Sequence, residues 1–208
     1  MAAVQQYQLT GAFLSYVYVP APAKTIRYLY EHPQWVLVYF DYDAAIFLRD
    51  VPFNRQWISR FRVDLAKRPA PEAQLLKIGT HNVAPYRHVN RAYALYNMGL
   101  ADKAQEEAVE ALRIDPSDIK ANKLMGKIYN ERGQYAAAFE FLRKAKLLEP
   151  QDMEIRYEMA LALFHLGEFE KAGEQCQRVL AEKPGDEKGL ALLSLIAAKA
   201  KKRGALEN

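Results

Sequence analysis

Residues 85–118 read PYRHVNRAYALYNMGLADKAQEEAVEALRIDPSD, residues 119–152 read IKANKLMGKIYNERGQYAAAFEFLRKAKLLEPQD, and residues 153–186 read MEIRYEMALALFHLGEFEKAGEQCQRVLAEKPGD. Laid over one another they align Gly99 with Gly133 and Gly167, Ala104 with Ala138 and Ala172, Ala111 with Ala145 and Val179, and Pro116 with Pro150 and Pro184. Each unit describes a helix, a break and a second helix. The glycine ends the first helix, because it accepts the left-handed conformation of a C-terminal cap. The proline ends the second helix, and Asp118, Asp152 or Asp186 stands ready to N-cap the next. Small residues in the first helix (Ala92, Gly126, Ala160) and the alanines of the second let two backbones approach closely. Leu95, Ile128, Tyr129, Leu142, Leu147, Leu163 and Cys176 are expected in the seams.

A period of about 34 residues built this way resembles the tetratricopeptide repeat family. The resemblance covers about residues 85–203 and implies an α-solenoid. One such unit cannot bury its own apolar face, and about three are needed before an array is stable. Three are present, as 85–118, 119–152 and 153–186. Residues 187–203 continue with one more helical pattern, whose Leu190, Leu193, Ile196 and Ala197 read as the inner face of a closing helix. The basic finish Lys199, Lys201, Lys202 and Arg203 suits a helix C-terminus, or a tail that binds a partner.

The expected fold is therefore mainly α: three repeats and a capping helix, preceded by a small α+β segment over 1–51 and a degenerate helical connector over 52–84. In the first segment, Phe13–Val19 mixes aromatic and β-branched residues and reads as a strand. Lys24–Glu31 reads as a short helix ended by His32-Pro33. Trp35–Phe40 and Ala45–Arg49 read as a hairpin around Asp41-Tyr42-Asp43. An amphipathic pattern at Pro52–Ala66 and a short helix at Glu72–Ile78 fill the connector, whose expected work is to cover the first apolar face of the array.

The 208 residues carry a formal net charge of +4 from 29 basic and 25 acidic side chains, a mild excess that suits acidic partners without demanding nucleic acid. One cysteine excludes an internal disulfide and leaves the compartment open, cytoplasmic or on the outer face of a membrane. Residues 1–23 carry no charged side chain, yet Gln5, Gln6 and Gln8 interrupt the apolar run and Pro20 and Pro22 end it early. The reading is a soluble chain. Residues 26–49 resemble a soluble segment that precedes repeat arrays in bacterial multi-pass membrane glycosyltransferase-like proteins. That resemblance implies a place in a cell-envelope system and a possible membrane-protein partner.

No enzymatic motif stands out. His32, His81, His88 and His165 form no zinc pattern, and Asp41 and Asp43 are read as turn residues. No phosphate loop or nucleophile elbow is present, so no catalytic residue, metal or cofactor is expected. The expected function is a non-enzymatic interaction or scaffold module.

In the repeat family, certain first-helix positions line the concave face. The resemblance places Tyr86, Val89, Tyr93, Tyr96 and Asn97 there in the first unit, Lys120, Lys123, Lys127, Asn130 and Glu131 in the second, and Glu154, Tyr157, Leu161, Phe164 and His165 in the third. Three lysines on one helical face repel each other, and a ligand's carboxylates would relieve them. The expected ligand is a protein or peptide segment with acidic and apolar residues. One subset of the family holds acidic chaperone tails in a carboxylate clamp of Lys, Asn and Arg; the corresponding positions here are Val89, Tyr93, Leu124, Glu154 and Glu158, so that clamp is not expected. Nucleic acid is not expected either, because the basic residues of the first half are scattered.

Overall fold

A computed structural model of the chain describes residues 10–15, 23–67, 77–78, 81–82 and 86–204. The chain divides into two compact units, one ending at Asp115 and the other beginning at Pro116. The fold is mainly α, of the α-solenoid class, with a small antiparallel sheet in the first unit.

In the first unit, β1 (Gly11–Ser15), β2 (Trp35–Phe40) and β3 (Ala44–Arg49) form a sheet in the order β1-β3-β2, so β3 is central. The β2–β3 turn is closed by Asp41, whose Oδ1 accepts hydrogen bonds from the backbone N–H groups of Asp43 and Ala44, each at 2.8 Å. Its Oδ2 accepts from the Tyr39 hydroxyl. Asp41 is thus a turn device, and Asp43 takes part through its backbone N–H. Trp35, Leu37, Ala45 and Phe47 are buried, as are Ile26 and Leu29 of α1 (Ala23–Glu31), which packs on β2. The alternation of strand residues between two faces leaves Ile46 and Leu48 on the other side, with Phe13 directly opposite Ile46.

A 3-10 turn (Pro52–Asn54) and α2 (Arg55–Phe61) follow. Asn54 is buried and ties them to the sheet: its Nδ2 donates to the carbonyls of Thr10 (2.8 Å) and Arg49 (3.0 Å). The helix expected over Pro52–Ala66 is thus shorter, and α2 buries none of its residues. The helix expected at Glu72–Ile78 gives way at its end to β4 (Lys77–Ile78), paired with β5 (His81–Asn82), while residues 72–76 lie outside the described residues. Residues 16–19 of the expected first strand also lie outside them.

Helices α3 (Tyr86–Asn97) and α4 (Ala101–Ile114) complete this unit, and α1 packs against α3. Among the described residues, α1 and the sheet turn lie against α3. Arg27 Nε donates to the Asn97 carbonyl at 3.3 Å, and Tyr42 meets the His88 ring edge-on at 5.6 Å.

The second unit holds α5 (Ile119–Glu131), α6 (Tyr135–Leu148), α7 (Met153–His165), α8 (Phe169–Glu182) and α9 (Glu187–Gly204). Each hairpin carries the same two devices. Gly99, Gly133 and Gly167 have φ of 87°, 72° and 80°. Their N–H groups donate to Tyr96, Asn130 and Phe164, while the next residue reaches back to Leu95, Tyr129 or Leu163, the double bond of a left-handed helix cap. Asp118, Asp152 and Asp186 each accept from the backbone N–H three residues on, at 2.7, 2.9 and 2.8 Å. Between α5 and α6, Gly126 presses against Leu142 so closely that a Cβ would sit 2.4 Å from Leu142 Cγ.

Two apolar clusters fill this unit, one centred on Leu142, Ile155 and Met159, the other on Leu163, Cys176, Leu192 and Ile196. The second is closed by α9. Its buried face is Gly189, Leu192 and Ile196, with Leu193 partly buried against the same cluster; of the expected face, Ile196 is buried, whereas Leu190 and Ala197 are exposed. Leu147 lies outside the seams at 72% exposure.

Candidate functional site

The expected site residues fall in both units. In the first, Tyr86 is exposed and Tyr93, Tyr96 and Asn97 are half-buried. Val89 is buried, so it supports α3 from within and presents no surface. In the second unit, α5 and α7 run side by side and share a face. Lys120 and His165 are exposed there, and Lys123, Lys127, Tyr157, Leu161 and Phe164 are half-buried. Asn130 is buried: its Nδ2 donates to the Glu158 backbone carbonyl (2.9 Å) and to Glu158 Oε2 (2.8 Å).

The lysines are not waiting for an external carboxylate. Lys123 Nζ lies 2.9 Å from Asp152 Oδ2 and 3.0 Å from Glu154 Oε2, and Lys127 Nζ lies 2.6 Å from Glu154 Oε1. Glu154, at the start of α7, therefore bridges both ammonium groups. Lysines at i and i+4 of one helix repel, and an acidic residue from the neighbouring helix removes that repulsion. Burial works against the charge on Lys123, but Asp152 and Glu154 outweigh it and hold its pKa above the ordinary lysine value. Burial likewise opposes ionisation of Asp152 and Glu154. The Ile155 N–H and Lys123 in the first case, and the two lysines in the second, bring both pKa values down.

Glu158 goes the other way. Burial raises its pKa, and the nearby Glu154 and Glu131 charges add to the rise against the Asn130 hydrogen bond and Lys127. The seam thus grades from an ion-pair cluster at Lys123 to a carboxyl that resists ionisation at Glu158.

Beside this ladder, Tyr157, Leu161 and Phe164 pack on the α8–α9 cluster with part of their surface outward. Their spacing along α7 forms one stripe. His165 continues it, stacked on Tyr135 with ring centroids 4.1 Å apart and 3° between planes. The face offers apolar and aromatic surface next to paired charges. Such a face can bind side chains; it holds no nucleophile with a base. Among the described residues no group of three or more His, Cys, Asp or Glu side chains could hold a metal ion, and no helix is long and apolar enough to cross a membrane.

A second polar cluster, in the first unit, has no counterpart among the expected site residues. His88 Nδ1 lies 2.8 Å from Glu107 Oε2, and Arg91 Nε lies 3.2 Å from Glu107 Oε1, all three side chains being buried. The Arg91 guanidinium sits 5.3 Å from the centroid of Phe40 and 5.1 Å from that of Tyr42. This cluster fastens the sheet turn to α3 and α4. The one sequence signal of it is that His88 and Arg91 are three apart on a helix, which puts them on one face.

Two family models described as tetratricopeptide repeat match this chain, over residues 89–149 and 129–196. A TPR repeat-containing protein of Methanocaldococcus jannaschii is 36% identical over 106 residues, 46% of this chain and 19% of that protein. The match thus spans about a fifth of that relative's length. Among solved structures, the first TPR of Spaghetti (RPAP3), bound to the HSP90 peptide SRMEEVD, superposes with a TM-score of 0.53 at 18% identity, covering 56% of this chain and 93% of that one. A MamA AMB-1 structure gives 0.51 at 20%, covering 58% and 66%. At such identities the superpositions speak for the fold. With the matches running without a gap from residue 89 to residue 196, over three hairpins that share their glycine and aspartate caps, the chain belongs to the tetratricopeptide repeat family.

Proposed function

We propose that this chain is a non-enzymatic protein-binding module and that, within its second unit, the shared face of α5 and α7 takes a peptide segment carrying apolar and acidic residues. The observation that carries this reading is the stripe of half-buried Tyr157, Leu161 and Phe164 alongside Lys123 and Lys127. Aromatic side chains with polar tips give contact area at low entropic cost. The lysines supply charge, but only through exchange: a ligand carboxylate reaches Lys127 by displacing Glu154, whose own side chain is 44% exposed. Glu154 therefore acts as an internal competitor that sets a threshold for acidic ligands.

The RPAP3 domain holds an acidic peptide, which supports the general reading. The mode of capture proposed here differs. Val89 and Leu124, at two clamp positions, are buried, and Glu154 and Glu158 at two others would repel a terminal carboxylate. The peptide SRMEEVD is expected to bind negligibly.

The test is capture from native extract on the full chain, with elution by stepped salt. Proteins that leave at moderate salt, are lost on K123E/K127E and are held more tightly by E154Q support the proposal. Equal retention by all three proteins would remove this face from the function.

A further inference from the structure

We infer a second, separate protein-docking site on the open side of the first unit's sheet, built to take an apolar or aromatic anchor flanked by acidic residues. Ile46 and Leu48 floor a trough of about 440 Å³ there, with Tyr39 beside them and Phe53, Trp57 and Phe61 as its wall. Three features mark it as a binding surface. First, α2 contains Trp57 and Phe61 yet buries no residue, so nearly half of each aromatic side chain faces solvent, at 45% and 44% exposure, and Phe53 beside them is 77% exposed. An isolated helix this short gains little from its own hydrogen bonds. Second, its aromatic side chains pack on one another: Trp57 stacks on Phe61 at 6.1 Å and 13°, and the Arg60 guanidinium lies 5.3 Å over the Phe61 ring. Aromatic and arginine side chains are the residue types that dominate binding hot spots.

The third feature names the occupant. The two carboxylates of residues 50–67, Asp50 and Asp64, are taken by Arg55 at 3.3 Å and Lys67 at 3.5 Å. Arg60 and Arg62 are exposed and, among the described residues, have no carboxylate partner; Arg60 lies over the wall residue Phe61, whereas Asp41 holds the hydroxyl of Tyr39, so the positive charge of the rim lies on its α2 side. Charge complementarity then calls for an acidic flank on the partner. A second copy of the chain would bring two equally positive rims together, and a flat lipid surface would not fill a recess. A protruding acidic segment satisfies both conditions. This site stands on the first unit alone and does not depend on the α5–α7 face.

The immobilised full chain is panned with a displayed library of random twelve-residue peptides, in parallel with the F53S/W57S variant, whose substituted side chains are largely exposed and whose folding is checked by circular dichroism. The expected result is peptides enriched on the native chain alone, with an aromatic or aliphatic pair next to Asp or Glu, whose affinity falls about tenfold on R60E/R62E. Enrichment that is absent, shared with the variant, or free of acidic residues overturns the inference. So does recruitment to anionic phosphatidylserine vesicles, or a concentration-dependent dimer, that is lost in F53S/W57S.

Discussion

Gly126 and Leu142 give the sharpest test of how the repeats are held together. A methyl group on Gly126 would lie 2.4 Å from Leu142 Cγ and 2.6 Å from its Cδ2, well inside van der Waals contact. Alanine favours the helix by about 1 kcal/mol over glycine, but overpacking a closed core costs roughly 1–3 kcal/mol. G126A should therefore lose about 1 kcal/mol. Leu142 is fully buried, and L142A should lose about 3 kcal/mol through transfer and cavity terms. In the double variant the clash is gone, the propensity gain survives and the new methyl occupies vacated space. It should lose only about 2 kcal/mol, roughly 2 kcal/mol less than the singles combined. Urea unfolding of the full chain, followed by helical circular dichroism, measures all three. Losses that add to within about 0.5 kcal/mol would show that the two helices do not meet at this point.

The glycine turns predict that G133A costs about 1 kcal/mol, because Gly133 has φ of 72° while nothing blocks a side chain there; G133N should cost less, and thermal unfolding ranks them. Glu158, with its pKa raised, loses stability as pH climbs from the ordinary glutamate value through its own, so E158Q should gain on the native protein between pH 4 and 7 in melting-temperature profiles. Asp152 and Glu154, with lowered pKa values, contribute above the ordinary carboxylate range and lose that contribution as pH falls below about 4, so a K123M variant should flatten the acid limb of the same profile. Cys176 is fully buried and its thiol is pushed up to about 11 by burial, so a disulfide reagent at pH 8 should react only as fast as the unit opens, with urea accelerating it; fast reaction in the folded protein would contradict the packing.

The repeat frame was legible because its devices are local. A glycine at a left-handed cap, an aspartate three residues before the N–H it caps, and small residues where backbones cross each leave a mark at a fixed offset. What escaped depends on contacts between distant positions. The Lys123, Lys127 and Glu154 cluster joins two helices, and same-helix spacing rules see only the repulsion between the lysines. Val89 and Asn130 occupy positions that line a groove in other arrays, yet here they are buried, Asn130 beneath Glu158. In α9 the expected Ile196 is buried and Leu193 packs beside it, but packing turned Leu192 inward in place of Leu190. The docking of α1 on α3 and the buried His88–Glu107 pair leave no periodic signal at all.

The most direct test of the proposed function places a photo-cross-linking phenylalanine analogue at Tyr157 on the α7 stripe and, as a control, at Leu147, exposed on α6. Irradiated in native extract, the full chain labelled at Tyr157 should capture discrete proteins, and K123E/K127E should abolish the capture, while the Leu147 analogue captures none of them. Capture of the same proteins from both positions, or from Leu147 alone, would place binding elsewhere.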